Sequence, residues 1–277
     1  MTADIRLLVL DIDGTLAGVS NQINLPVLEA IRAVQQRGVA VAIATGRMYQ
    51  SALRFYQTVG STLPLMAYQG AFIKDPNTQK LHRHTPLPRQ LALELLTYLA
   101  PMEAGGDLSI HLYIDDQLHV RAVIDDTEAY AERSGIRPVA AGDLAALLKG
   151  NVAIETTKLL TLSNNLGLLS DILSDLGQRY PTDDLYLTRS VEYFVEATHP
   201  KANKGEAVRF LAEDLLGLTR DQVMTIGDNY NDLEMLRYAG IGVAMGDAPE
   251  PVKQGADWVA PGVEADGVAA ALREFLL

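Results

Sequence analysis

The residues able to do chemistry begin with Asp11 and Asp13, one position apart in "LLVLDIDGTLAG". An unbroken apolar run, Leu7 to Leu10, leads into them, and Gly14 and Thr15 follow. Two like charges at the end of a strand that reads as buried repel each other unless something gathers them. Four readings compete for the pair. It is a solvated turn in which Asp13 caps local backbone, a calcium loop, a phosphoacceptor of the receiver kind, or a nucleophile beside its acid/base partner. The calcium loop fails, because "TLAGVSNQ" supplies none of the further acidic ligands such a loop needs. Taken alone the pair favours the turn, and other parts of the chain have to decide.

Three more clusters bear on that decision. "ATGR" puts Thr45, Gly46 and Arg47 after a second apolar run. A hydroxyl and main-chain N–H groups at a strand end, just ahead of a helix, cradle an anion; the plain alternative is a helix cap and a solvated arginine. "KANKG" puts Lys204 where a helix begins. The helix dipole disfavours a cation there unless an anion lies between; the plain alternative is a solvated lysine with Asn203 as the cap. "GDNYNDLEML" brings Asp228, Asn231 and Asp232 behind another buried strand. Asn231 with Glu234 fits a helix capping box, which leaves Asp228 without a role. Three acids at one sheet edge call for a cation. Mg²⁺ suits them, being a hard ion held by carboxylates, water and phosphate oxygens.

The elements that must position these residues alternate strand and helix. "IRLLVL", "VAVAIATG" and "PLMAYQG" read as strands, with helices over "NLPVLEAIRAVQQRG" and "RMYQSALRFYQTVG" between them. This rhythm predicts a parallel sheet covered by helices. Asn24 is a candidate N-cap for the first helix. A hairpin is expected at Asp75-Pro76-Asn77. From about Pro86 the rhythm changes to a helix followed by two alternating strands, seen twice, with turns at Asp115-Asp116 and Arg189-Ser190. After "HPKANKG" the parallel rhythm returns, through "QVMTIGD" and "IGVAMG", and closes in the helix "VEADGVAAALREFLL". The expected fold class is therefore α/β, a Rossmann-like parallel sheet core with an inserted α+β cap domain. The core is assigned to residues 1–85 plus 199–277 and the cap to 86–198. Two short crossings into an insert are the geometry of a lid.

Composition narrows the function. Of 277 residues 48% are hydrophobic, enough for a sizeable core. Twenty-three basic against thirty-five acidic residues give a net charge of −12. Such a surface repels phosphate backbones, which argues against nucleic acid as a partner, and against an anionic membrane. No cysteine is present, so disulfides, zinc thiolates and thiol nucleophiles are excluded. The five histidines lack metal-binding spacing. No apolar run approaches membrane-spanning length and no signal-peptide pattern opens the chain, so a cytoplasmic protein is expected.

In order along the chain, "DIDGT", "ATGR", "KANKG" and "GDNYND" resemble the four motifs of the haloacid dehalogenase superfamily. The insert, with "YQGA" and "GVAMGDAPEPVK", resembles its Cof-type phosphatase branch. The resemblance implies a Mg²⁺-dependent phosphatase acting on a small phosphorylated metabolite. Asp11 is then the nucleophile, forming an aspartyl-phosphate, and Asp13 the acid/base, which must be protonated near neutral pH. Asp11, the main-chain carbonyl of Asp13, and Asp228 would hold the metal, with Asp232 supporting it. Thr45, Gly46, Lys204 and Asn231 would hold phosphoryl oxygens. Arg47, His111, Tyr113, His119 and Arg121 are candidate substrate readers, each weighed against ordinary surface. Two positions depart from the branch, which usually has Asn-Gly-Ala where this chain has Gln69-Gly70-Ala71, and Asn where it has Asp247. A sugar-phosphate mutase and a non-catalytic sugar-phosphate-binding regulator are the competing functions.

Overall fold

The structure is a computed structural model and describes residues 4–277. It divides into two compact units, one made of the chain up to Arg83 together with Asn203–Leu277, the other of His84–Ala202.

The first unit opens with β1 (Leu7–Leu10), α1 (Leu25–Gln36), β2 (Ala40–Ile43), α2 (Tyr49–Val59), β3 (Leu65–Ala67), β4 (Phe72–Lys74) and all but the last residue of β5 (Leu81–His84). All four residues of β1 are buried, as expected of a strand covered on both faces. In α1, Val27, Ala30, Ile31 and Val34 are the buried residues, a spacing that lines one helical face. The Asn24 side chain does not cap α1, although Asn24 occupies the cap position. Its Nδ2 instead donates to Asp266 Oδ1 at 2.9 Å.

The second unit contains α3 (Arg89–Gly105), β6 (Ser109–Ile114), β7 (Gln117–Val120), α4 (Asp125–Ser134), β8 (Pro138–Ala140), α5 (Leu144–Gly150), β9 (Thr156–Leu162), α6 (Leu166–Arg179), β10 (Tyr186–Thr188) and β11 (Phe194–Thr198). The chain then returns to the first unit with α7 (Lys204–Arg209), β12 (Val223–Gly227), α8 (Leu233–Tyr238), β13 (Ile241–Ala244), α9 (Glu250–Gln254), β14 (Trp258–Val259) and α10 (Gly267–Phe275).

The main sheet has the order β14-β13-β12-β1-β2 and is parallel throughout. Register decides what happens at its carboxyl edge. Leu10 lies opposite Ile226 on one side and Ile43 on the other. The residues just beyond those three positions, Asp11, Thr45 and Asp228, are thereby carried to one end of three adjacent strands. Open α/β sheets bind their ligands at this end.

Two expectations about this sheet need correction. "PLMAYQG" does not supply a full third parallel strand. β3 belongs to a separate three-stranded sheet, β3-β4-β5, and runs antiparallel to β4. Its link to the main sheet is a single parallel bridge between Ala44 and Met66. The stretch after Met245 also contains α9 and the edge strand β14. Two-residue strands carry too short a pattern to be read from sequence. Trp258 in β14 packs edge-on against Phe275, ring centroids 5.7 Å apart.

In the second unit the sheet order is β10-β11-β9-β6-β7-β8. Asp115 and Asp116 take positive φ, 50° and 57°, as a tight two-residue hairpin turn requires. One set of alternating residues, including Ile110, Leu112, Leu159, Val195 and Ala197, joins Leu95, Leu99, Leu148 and Ile172 in an apolar core. The opposite set carries polar groups that are also buried. Lys158 Nζ and Glu196 Oε2 pair at 3.0 Å with 2% and 1% exposure, and Ser190 Oγ donates to the same carboxylate. Tyr113 and Tyr130 share a hydroxyl hydrogen bond of 2.7 Å.

His111 lies in this polar layer, fully buried, with its ring 5.0 Å from that of Tyr130. Burial, reinforced by the charge of Lys158, pushes its imidazole down to about 3. The sign follows from linkage. Above the ordinary histidine pKa both folded and unfolded chains hold a neutral ring, and stability is at its full value. As pH falls below about 6.5 the unfolded chain takes up a proton that the folded one refuses. Stability then declines by about 1.4 kcal/mol per pH unit. His111→Gln removes this slope. Denaturant unfolding at pH 7 and pH 5 is expected to show wild type losing about 2 kcal/mol more than the variant. Equal losses in the two proteins would mean that His111 does not titrate with folding.

No helix among the described residues is long and apolar enough to cross a membrane.

Candidate active site

Asp11 lies immediately after β1 and is buried. The chain turns at once after it. Gly14 has φ 80°, and a Cβ there would come within 2.1 Å of Asp228 Oδ2. Glycine is required at this position on two counts, the left-handed backbone and the closeness of Asp228. Thr15 Oγ1 lies 3.5 Å from Asp228 Oδ1 on the same turn. The "DGT" run therefore brings the first strand end against the loop after β12.

That loop is organised by Asp232. Its Oδ2 accepts the main-chain N–H groups of Asp228 at 2.9 Å and Asn229 at 3.0 Å. Asn229 is the cap of the following helical turn, in a reciprocal capping box with Asp232. The expected Asn231–Glu234 box does not form. The turn begins two residues earlier than the pattern implied, because Asp232 reaches back to the Asn229 N–H as well. Asn231 is freed from capping and points inward, buried, with its Nδ2 donating to Gln69 Oε1 at 3.1 Å.

Lys204 opens α7, and the Asn203 side chain caps that helix by accepting the Glu206 N–H at 2.8 Å. The lysine is nevertheless not solvated. At 1% exposure, its Nζ lies 2.6 Å from Asp11 Oδ1 and 2.6 Å from Asp232 Oδ1. These contacts span 193 and 28 positions of sequence. Burial alone would push the ammonium down, but Asp11 and Asp232 outweigh it and hold its pKa above the ordinary lysine value.

Asp11, Asp228 and Asp232 each offer a carboxylate oxygen, all within 4.8 Å of one another. One lysine does not balance three acids. Burial pushes the Asp11 carboxyl up to about 7, with Lys204 opposing and Asp232 and Asp13 adding to the rise. Asp228 is raised well above the ordinary carboxylate range by burial, then by Asp11 and Asp232. Protons are one way to relieve this crowding, and a divalent cation is the other. A cluster of carboxylate oxygens is the donor set of a hard ion, so the residues present fit a metal of that kind.

The remaining expected residues are placed as follows. Thr45 follows β2 and is buried, its Oγ1 accepting the Arg47 N–H at 3.1 Å. Gly46 stands beneath the Gln69 carboxamide. Asp13 faces Arg47, which donates from Nε at 2.7 Å and Nη2 at 2.6 Å, a two-pronged pair. Arg47 Nη2 also donates to Asn21 Oδ1 at 2.8 Å, and the guanidinium carbon sits 4.6 Å from the Phe55 ring centroid. Asp247 is exposed and caps a distant turn, accepting the Val263 N–H at 2.9 Å. That departure from the branch pattern has a local structural purpose. His111, Tyr113, His119 and Arg121 all belong to the second unit. Gln69 stands out in the sequence only as a departure from the branch, and nothing local signals its contacts.

A family model described as haloacid dehalogenase-like hydrolase matches residues 8–272. The 5-amino-6-(5-phospho-D-ribitylamino)uracil phosphatase YitU of Bacillus subtilis is 30% identical over 275 residues, covering 97% of each chain. The phosphoglycolate phosphatase of Methanothermobacter thermautotrophicus is 25% identical over 272 residues, covering 98% of this chain and 99% of its own. Among solved structures, a haloacid dehalogenase-like hydrolase from Bacteroides thetaiotaomicron superposes with a TM-score of 0.81 at 27% identity, over 98% of this chain and 99% of that one. With the parallel sheet, the second α+β unit and the acid–lysine cluster at the sheet edge, the match over nearly the whole length means that this chain belongs to the haloacid dehalogenase-like hydrolases.

Proposed function

We propose that this chain is a Mg²⁺-dependent phosphomonoesterase that hydrolyses a small phosphorylated metabolite by way of a phosphoryl group carried on Asp11. Family membership and the two named phosphatases make it an enzyme of the phosphatase class. Both of those names denote small phosphate esters, which supports the same class of substrate here. The observation that carries the proposal is the cluster of Asp11, Asp228 and Asp232, with the buried Lys204 Nζ bridging Asp11 and Asp232.

Asp11, the main-chain carbonyl of Asp13, and Asp228 would hold Mg²⁺. When bound, the ion offsets the repulsion between an anionic carboxylate and an anionic phosphate and neutralises charge at the transferring group. Asp232 keeps Asp228 and Lys204 in place through its three short contacts.

The chemistry then belongs to the side chains. An Asp11 oxygen attacks phosphorus as the bond to the ester oxygen breaks. Asp13 gives its proton to that departing oxygen, so the product leaves as an alcohol. Asp13, now a carboxylate, takes a proton from water as the water oxygen attacks phosphorus and frees Asp11. Thr45, the Gly46 N–H, Lys204 and Asn231 hold the phosphoryl oxygens throughout. Arg47 holds Asp13 as a carboxylate between these events; when the seated substrate displaces the guanidinium, Asp13 takes up from solvent the proton that it gives to the ester oxygen.

The test is phosphate release across a panel of sugar phosphates, nucleotides and other phosphorylated metabolites, with and without Mg²⁺. Release is expected for a subset of small monoesters and only with the ion present. The same ion is expected to raise the melting temperature by several degrees, corresponding to about 2.7 kcal/mol at a hundredfold excess over its dissociation constant. A protein that releases phosphate equally well in chelator would contradict the assignment.

A further inference from the structure

The segment Tyr68-Gln69-Gly70 carries three consecutive positive φ values, 52°, 59° and 92°. Two of these residues are not glycine, so the backbone is held in a conformation that side chains of this kind rarely adopt. Such strain persists only where the surroundings over-determine it, and it concentrates at functional sites. The surroundings here are specific. The Gln69 N–H donates to the Thr45 carbonyl at 2.9 Å, and the Tyr68 N–H to the Arg47 carbonyl at 2.9 Å. A Cβ on Gly70 would sit 2.5 Å from the Ala207 Cβ of α7. The strained segment is thus fastened both to the Thr45–Arg47 loop and to the helix that begins with Lys204.

Its outcome is the position of one side chain. Gln69 is fully buried, and its carboxamide lies over Gly46, where a Cβ would come within 2.4 Å of Nε2. One end of the amide is paired with Asn231. The other end, Gln69 Nε2, has no hydrogen-bond partner, and neither has Asn231 Oδ1. In the orientation described the unpaired NH₂ is that of Gln69, over Gly46; exchanging oxygen and nitrogen in both amides would pass it to Asn231. In either orientation one buried NH₂ and one buried carbonyl oxygen remain unsatisfied, and an unsatisfied buried donor costs stability. Building such a donor on a strained backbone, over the glycine of the expected anion cradle, makes sense if an anionic oxygen completes it.

We propose that Gln69 is a further phosphoryl-binding residue. Its carboxamide, with that of Asn231, forms an amide wall over Gly46 and donates to an oxygen of a tetrahedral oxyanion held by Thr45 and Lys204. This rests on the phosphatase reading of the same site. It adds a residue that no motif of the chain assigns to that task, and it gives glutamine at this position a purpose beyond packing.

The test uses inorganic phosphate as the probe, binding to the full chain in the presence of Mg²⁺ and followed by calorimetry. Gln69→Leu keeps the volume and removes the donor. It is expected to weaken phosphate binding by about tenfold, while the Mg²⁺-induced rise in melting temperature stays at the wild-type value. Gln69→Asn, which keeps the amide, is expected to recover most of that loss. Equal phosphate affinity in wild type and Gln69→Leu would overturn the role of Gln69 and leave the phosphatase reading intact. Wild type that binds no phosphate with Mg²⁺ present would overturn both. A second measurement needs no folded variant. With ¹⁵N-glutamine labelling, the Gln69 side-chain NH₂ resonances of the wild type are expected to move on phosphate addition. Their standing still at saturation would equally overturn the proposal.

Discussion

Asp11→Asn is expected to lower phosphate release by at least about 10⁴-fold while leaving the protein folded. The magnitude follows from the role proposed for the residue. A carboxamide oxygen does not form a stable acyl phosphate, and loss of a covalent nucleophile removes the step itself rather than a contribution to it. The survival of the fold follows from the charges around it. Lys204 keeps its second partner, Asp232, at 2.6 Å. The carboxyl being replaced is already pushed up to about 7, chiefly by burial, so a neutral group is tolerated at that position. Removing one of three crowded acids should therefore leave the metal-free melting temperature unchanged or raise it. The rise produced by Mg²⁺ should shrink, since one of its three acidic neighbours is gone. Phosphate release and thermal unfolding, each with and without the ion, test the whole statement. Wild-type-like release from a folded Asp11→Asn protein would remove Asp11 from the chemistry.

Lys204→Met is expected to damage stability and turnover together. The ammonium is 1% exposed and bridges two carboxylates. Breaking a buried ion pair by deleting one partner costs about 3–5 kcal/mol, because the other partner stays behind uncompensated. Here the residues left behind are Asp11, Asp228 and Asp232, mutually within 4.8 Å. Methionine fills the volume but supplies no charge. Loss of a preorganised cationic donor to the transferring group should lower kcat by about 10²–10³-fold. Stability and turnover should respond differently to added Mg²⁺. The ion replaces part of the missing positive charge, so the melting temperature of Lys204→Met should rise by more than that of wild type, while kcat stays low. Lys204→Arg should not rescue, since a planar guanidinium demands space and directions that a buried ammonium site lacks. A Lys204→Met protein that melts like wild type without Mg²⁺ would mean that the lysine is not what holds these acids together.

Much of the site is legible as pattern in the amino-acid sequence. Apolar runs at Leu7–Leu10, Ala40–Ile43 and Val223–Gly227 read as buried strands, and each is followed within two positions by a residue of the candidate site. Those inferences are local. Strand-like composition and a following turn glycine are set by neighbours in sequence, and the α/β rhythm limits how such strands are joined. The turn at Asp115-Asp116 and the cap at Asn203 are legible for the same reason. Where a local rule meets a residue with a distant partner, it fails. Asn231 fits a capping box by spacing, yet Asn229 takes the cap and Asn231 turns to Gln69, 162 positions away. Asp247 departs from the family pattern beside the expected pocket, yet it caps the turn at Val263. β3 reads as a third parallel strand, yet it pairs with β4.

The sequence by itself determined the kinds of group available, their order along the chain and the strand ends that carry them, because strand, helix and turn formation depend on residues a few positions apart. Tertiary structure alone decided who meets whom. It set Lys204 against Asp11 across 193 positions, drew Thr15 towards Asp228 across 213, and laid the Gln69 amide over Gly46. Those pairings depend on strand order and register in the sheet, where β12 and β2 flank β1 although they are far apart in the chain. No local signal in the sequence encodes that adjacency; the packing of the whole sheet does.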